Sequence, residues 1–316
     1  MENNTNDFIK KIKELAMTKQ LNFLIGSGVS MPAISLMGQV EGANEEEKNN
    51  ELIKKVSNVS KKLLNDKFDD EKIKITFKNY ISFLTKIIFL LNKSNSRQVP
   101  RSVNIFTTNY DLFIEKTIDE LSIENRIIFN DGSNGYFKKY IDSSNYNKVV
   151  SYKGLNDNYI NEIPSINLIK PHGSINWKRG EERILVCNEV VENPVVVKPT
   201  GKEGQETFLN NYFHDMLRMF QIELDKPQSV IFVIGFSFQD KHIAKMFTRA
   251  LQNPELIAYI FCYKDEEKEK IKKNLNLKEE KNNLKILSPH DLNQYIYGNN
   301  EDNQTFTINE FIKLLK

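Results

Sequence analysis

Cysteine is nearly missing from this sequence. Cys187 and Cys262 are the two that occur in 316 residues, each inside an apolar run and neither in a CxxC pair. A structural zinc site takes about four Cys or His ligands at close spacing. Two separated cysteines and four scattered histidines do not supply them, so no metal and no zinc module are expected. Low cysteine content also fits a reducing compartment. An excess of one charge is missing too. Lys and Arg total 44 against 42 Asp and Glu, a net charge of +2, which argues against direct nucleic-acid binding or a membrane-surface role. The mixed-sign run Lys264-Asp265-Glu266-Glu267-Lys268-Glu269-Lys270 reads as a solvated helix face. No long hydrophobic run is present either. Ile81–Leu91 is broken by Thr85 and Lys86 and is too short to span a bilayer. Met1–Asp7 is polar and has no signal-peptide core. A soluble, cytoplasmic protein is expected. The GxSxG elbow, Walker A loop, HExxH and EF-hand patterns are all absent.

What is present is an alternation. Phe8, Ile9, Ile12, Leu15 and Ala16 recur at helical spacing over residues 6–19. Leu21–Ile25 then runs as a buried strand into Gly26-Ser27-Gly28, an order typical of nucleotide-binding α/β units. Residues 40–100 carry a helical pattern (Ile53, Val56, Val59, Leu63, then Tyr80–Leu91) and read as a helical insertion. Strand-like runs follow at Val103–Phe106, Arg126–Phe129, Ile166–Ile169, Pro194–Val197, Val230–Ile234, Ala258–Phe261 and Leu284–Leu287. Helical segments at Asp111–Leu121, Glu206–Leu224, Asp240–Leu251 and Glu266–Leu275 separate many of them. Several strands are apolar on both faces, as in a parallel sheet covered by helices on both sides. The expectation is a single domain over 1–316, a Rossmann-like doubly wound α/β fold with a mainly parallel sheet and an insertion at 40–100. The Asn-, Ser-, Tyr- and Gly-rich stretch 130–163 reads as a long functional loop or lid.

Four clusters close predicted strands, where open α/β sheets place ligands. In Gly26-Ser27-Gly28-Val29-Ser30-Met31-Pro32, glycines let a backbone approach a pyrophosphate and Ser30 adds a hydroxyl. The same residues also suit a plain turn. In Thr107-Thr108-Asn109-Tyr110-Asp111, Thr108 or Asp111 suits a helix cap, while Asn109 and Asp111 suit a ribose or a carboxamide. In Lys170-Pro171-His172-Gly173-Ser174-Ile175-Asn176-Trp177, the imidazole of His172 suits proton removal from a sugar hydroxyl or water. The fourth, Gly235-Phe236-Ser237-Phe238-Gln239-Asp240, is a second glycine/serine turn, with Asp240 read as an N-cap. His214, His242 and His290 read as structural or exposed.

Taken in order, these clusters resemble the sirtuin (silent-information-regulator) superfamily. Gly26-Ser27-Gly28-Val29-Ser30 is similar to its Gly-Ala-Gly-x-Ser opening and Thr107–Asp111 to its Thr-Gln-Asn-x-Asp segment. His172-Gly173 is similar to its catalytic His-Gly, and Gly235-Phe236-Ser237 to its late Gly-Thr-Ser turn. The zinc ribbon of the protein deacylases has no counterpart, and Met31–Ser35 stands where the family has Phe-Arg. Asn130–Gly135 and Lys170–Trp177 resemble the zinc-free bacterial branch, which is similar to NAD-hydrolysing effectors of antiphage defence. Some of those work with a HerA-type ATPase. The resemblance implies NAD⁺ as substrate, cleaved to nicotinamide and ADP-ribose by an NAD⁺ glycohydrolase (NADase). It implies catalytic roles for Asn109 (ribose and water), Asp111 (carboxamide) and His172 (proton removal). Gly26, Ser27, Gly28 and Ser30 would bind the pyrophosphate, with Thr108 also in the cofactor site and Gly235 and Ser237 near the adenosine half. Two other readings share these residues: a deacylase or ADP-ribosyltransferase, and a non-catalytic NAD or ADP-ribose sensor. A homo-oligomer or a protein activator is expected, docking on 40–100 or 300–316.

Overall fold

The computed structural model describes residues 2–94, 99–152, 162–198, 211–277, 279, 281–297 and 305–315. Seven strands form one parallel sheet: β1 (Gln20–Ile25), β2 (Ser102–Thr107), β3 (Ile128–Asn130), β6 (Ser165–Ile169), β9 (Ser229–Ile234), β10 (Ile257–Phe261) and β11 (Leu284–Leu287). Their order is β11-β10-β9-β1-β2-β6-β3. The chain leaves β1 toward β2 on one side and returns to build β9, β10 and β11 on the other. The switch point between β1 and β9 is where such a sheet opens a crevice at its carboxyl edge.

Alternation along each strand assigns the two faces. Phe23, Ile105, Leu168, Phe232 and Tyr259 join one core, and Leu24, Phe106, Ile169, Val233 and Ile260 the other. Strands apolar on both faces were readable for this reason. The first face is covered by α1 (Glu2–Thr18), α3 (Glu71–Lys93), α4 (Phe113–Glu124) and α8 (Ile308–Leu314). The second is covered by α5 (Asn211–Asp225), α6 (Lys241–Ala250) and α7 (Glu267–Asn274). Phe311 of α8 sits among the rings of Phe23, Phe232 and Phe261 at 5.6, 5.3 and 5.4 Å. The apolar side of α8 is therefore committed to the core. Among the described residues, no helix is long and apolar enough to cross a membrane.

Residues 45–93 form two helices between β1 and β2. In α2 (Glu45–Leu64), Asn44 caps by accepting from the Glu47 N–H at 2.9 Å. In α3, Asp70 accepts from the Lys72 N–H at 3.0 Å. Phe83, Leu84 and Ile87 of α3 are fully buried, so this helix is part of the core layer itself.

Three expectations differ from the structure. The strand expected at Arg126–Phe129 starts at Ile128, because Asn125 closes α4 and its side chain donates to the Leu121 carbonyl. Pro194–Val197 is not a strand. It lies across the histidine turn with a single bridge, Gly173 to Val196. Residues 130–152 are not one long loop. They supply β4 (Ser133–Asn134) and β5 (Lys139–Ile141), which with β8 (Ile184–Val186) and β7 (Trp177–Arg179) make a second, antiparallel sheet in the order β4-β5-β8-β7. Strands of two or three residues carry no readable period. Residues 153–161 of the expected lid and 206–210 of the expected helix lie outside the described residues.

One polar feature crosses the sheet. Asn22, Asn104, Asn167 and Asn130 stand in register on β1, β2, β6 and β3. Asn167 Nδ2 donates to Asn104 Oδ1 at 2.8 Å, and Asn104 Nδ2 donates to Asn22 Oδ1 at 2.9 Å. Glu223 of α5 also accepts from Asn104 Nδ2 at 3.0 Å and from Gln20 Nε2 at 2.6 Å, and it pairs with Lys226 at 2.7 Å. No buried side-chain atom of these residues lacks a partner.

Candidate active site

The turn after β1 packs backbone to backbone against the turn after β9. The Gly26 N–H donates to the Ile234 carbonyl at 3.0 Å and the Gly28 N–H to the Gly235 carbonyl at 3.1 Å. A Cβ at Gly26 would lie 2.2 Å from Gly235 O, and one at Gly235, whose φ is +65°, would lie 2.8 Å from Val29 N. Glycine is demanded here by the meeting of two turns across the switch point. The N–H groups of Gly26 and Gly28 are thereby committed. Ser27 of the same turn is exposed, and Ser30 is buried.

Ser30 is the centre of a buried network. Its Oγ donates to Asp111 Oδ2 at 2.8 Å and lies 3.1 Å from the hydroxyl of Tyr80 on α3. Asn109 Nδ2 donates to Gly26 O and to Ser30 Oγ, both at 3.1 Å. The loop holding Asn109 is tied down by Thr107, which accepts from the Asn109 N–H and donates to the Ile25 carbonyl. Asn109 Oδ1, by contrast, is buried with no partner. A buried amide oxygen left without a donor costs about 1–3 kcal/mol. At the carboxyl edge of the sheet, beside the switch point, such an oxygen is an acceptor that a ligand can complete.

Both oxygens of Asp111 are occupied: Oδ2 by Ser30 and Oδ1 by the Phe113 N–H at the start of α4. A contact with a carboxamide would require releasing Ser30. Burial pushes the Asp111 pKa up, and the nearby Lys170 charge and the Ser30 hydrogen bond offset this in part. Burial and the Asp111 charge together keep Tyr80 a neutral phenol. Lys170, the last residue before the histidine turn, is itself buried. Its Nζ donates to the Asp111 carbonyl at 2.6 Å, Glu115 Oε1 at 2.9 Å and Ser174 Oγ at 2.9 Å. The loops after β2 and β6 are thus stitched together, with the Ile175 N–H adding a bond to the Tyr110 carbonyl.

His172 begins the next turn. Gly173, at φ +83°, passes so close to Val195 that a Cβ would lie 2.1 Å from its carbonyl oxygen. The Val197 N–H donates to the His172 carbonyl at 2.9 Å. The imidazole Nε2 lies 2.9 Å from Asp240 Oδ2. The contact has ion-pair distance but poor hydrogen-bond alignment, since Oδ2 has no well-directed donor. Asp240 Oδ1 caps α6, accepting from the His242 and Ile243 N–H groups at 2.8 and 3.1 Å. Burial raises the Asp240 pKa, but the His172 contact and the two cap bonds more than offset it, leaving the carboxyl below the ordinary range.

The structure therefore brings Gly26, Gly28, Ser30, Asn109, Asp111 and Gly235 together at the switch point, with His172 on the adjoining stitched loop. Thr108 is half-buried and Ser237 exposed; among the described residues, neither side chain forms a hydrogen bond with the network. Tyr80 lies outside the four clusters, and the bonds made by Thr107 and Lys170 and the second contact of Asp240 are not readable from them. Their partners lie far away in the chain, and Tyr80 sits 50 residues from Ser30.

A family model described as the SIR2-like domain matches residues 103–287. The chain belongs to the SIR2-like family. The match takes in Thr107–Asp111, Lys170–Trp177 and Gly235–Asp240 and runs from β2 to β11. The turn at Gly26–Ser30 falls outside it, and the bonds to Gly235 and Asp111 join that turn to the matched SIR2-like region. No curated protein matches the sequence. Membership implies use of NAD, and the residues fit it: the carboxyl edge of the sheet carries an orphaned acceptor for a hydroxyl and glycine turns at the switch point. Among the described residues, no group of three or more His, Cys, Asp or Glu could hold a metal ion.

Proposed function

We propose that this SIR2-like chain is an NAD⁺ glycohydrolase, giving nicotinamide, ADP-ribose and a proton from NAD⁺ and water, and that it serves antiphage defence by depleting NAD. The carrying observation is the buried, unpartnered Oδ1 of Asn109. Its amide is locked by Gly26 and Ser30, so the oxygen is presented in a fixed position. An O–H donor, from a ribose hydroxyl or the attacking water, would complete it. His172 takes the proton that water loses as its oxygen bonds to the sugar, and nicotinamide leaves as a neutral molecule without acid assistance. Asp111 orients Ser30, and through it Asn109. Preorganisation of this kind lets fixed dipoles act without rearrangement. Water as the acceptor, the defence role and activation by self-assembly or a HerA-type ATPase rest on the resemblance of Asn130–Gly135 and Lys170–Trp177 to the zinc-free bacterial branch.

The test is nicotinamide release from NAD⁺ in ¹⁸O-labelled water, with and without a HerA-type ATPase and with and without an acyl-lysine peptide. Label in ADP-ribose is expected, and His172→Gln should lower the rate by about 10²–10⁴-fold. Formation of O-acyl-ADP-ribose would instead establish a deacylase. Tight NAD binding with no release under any condition would establish a sensor.

A further inference from the structure

Asp240 does two things at once, and the second is not needed for a helix cap. One oxygen closes the first turn of α6 and the other reaches His172, 68 positions earlier in sequence, at 2.9 Å. The turn that delivers it is firmly built. Phe238 is buried in the left-handed region at φ +57°, a conformation that costs a β-carbon residue about 1–3 kcal/mol and persists only where its surroundings impose it. Here its ring packs against Phe236 at 5.0 Å and against Phe247 of α6 at 4.8 Å. The Asn274 amide donates to the Ser237 carbonyl at 2.8 Å. The same turn begins at Gly235, which is locked against Gly28. Asp240 is thereby held on a rigid element at one nitrogen of the imidazole.

Imidazole chemistry gives this placement a consequence. A carboxylate at Nε2 favours the tautomer with its proton on Nε2, leaving the lone pair on Nδ1. Among the described residues, the His172 side chain has no other hydrogen-bond partner. We propose that Asp240 is a positioning residue for His172. It fixes the ring and its tautomer so that Nδ1 accepts the proton, and it steadies the imidazolium that forms. The dyad rests on the reading of His172 as the base and adds a residue to that site. The balance is simple: the proton moves from water oxygen to Nδ1, while the Nε2 proton stays between ring and carboxylate. His242, the next imidazole along α6, also feels both Asp240 and His172, so the two rings must be told apart in any measurement.

The experiment uses the full-length protein and two variants. Asp240→Asn keeps an oxygen for the cap and removes the charge, and Asp240→Ser keeps a cap and removes the reach to His172. Imidazole ¹⁵N spectra, assigned with His172→Gln, should show the Nε2–H tautomer for His172 in the parent chain and a mixture in both variants. In the nicotinamide assay both variants should lose about 10–100-fold in kcat, with KM within about twofold. Adding Asp240→Asn to His172→Ala should cause no further loss, as expected for residues that act as a unit. An unchanged His172 tautomer in Asp240→Asn, or an additive loss in the double variant, would overturn the dyad. Should the parent chain release no nicotinamide, the hydrolase reading falls, while the ¹⁵N spectra still decide the dyad.

Discussion

Two buried polar clusters lie in the same sheet, one low on β1, β2 and β6 and one at the carboxyl ends of the same strands. The lower, built from Asn22, Asn104, Asn167, Gln20 and Glu223, leaves no buried side-chain atom unpartnered. The upper, built from Ser30, Asn109, Asp111, His172 and Asp240, leaves Asn109 Oδ1 without a partner and Asp240 Oδ2 without a well-directed donor. Both contain a buried asparagine amide, on the strands in the lower cluster and just beyond β2 in the upper. What separates them is completeness. The lower cluster fixes strand register, since a one-residue slip would send every amide to the apolar face opposite. The upper one forgoes stability to keep acceptors open, as sites do.

That contrast breaks most visibly at Asn104. Asn104→Leu strands the Asn22 oxygen and the Asn167 amide, and two orphaned groups at about 1–3 kcal/mol each should lower the unfolding free energy by about 2–6 kcal/mol, read from urea midpoints. NAD affinity of the remaining folded fraction should be unchanged. The converse is expected at Asn109. Asn109→Ala should cut nicotinamide release by about 10²–10³-fold while shifting stability by no more than about 1–2 kcal/mol, because one orphan is removed as two donated bonds are lost. An equal stability loss in the two variants would erase the distinction. The smallest effect belongs to Asp111. Its folded pKa lies above the ordinary 3.8, so its contribution to stability is complete below that value and declines as pH rises through the folded pKa. Asp111→Asn should remove this decline, flattening the change in urea midpoint between acidic and neutral pH relative to the parent chain.

The large sheet was legible because its central strands are buried on both faces and so read as largely apolar runs. The small sheet was not, because its strands are too short for a period. Ser30, Asn109 and His172 were legible as residues closing strands in a recognisable order. The Asn ladder was not. In sequence, Asn22, Asn104 and Asn167 are single polar interruptions of apolar runs, and only register makes them one structure. The Asp240 cap could be read locally, from an acid before a helical pattern. Its reach to His172 could not, since nothing local specifies which side chain a strand-end turn will meet.

The place of α8 in the core sets a schedule for the molecule. Phe311 rests on Phe23 of the first strand and on Phe232 of the strand beside it, so that part of the face gains its last cover only when residues 308–314 arrive. On the ribosome, β1 emerges early, yet it waits for α8 before its inner surface is sealed. That layer of the core is completed only after all the described strands have been translated. A nascent chain halted between β11 and α8 holds Ser30, Asn109 and His172 without the packing of Phe311 on Phe23 and Phe232. Completion of that core layer thus comes after every residue proposed for the site has been made.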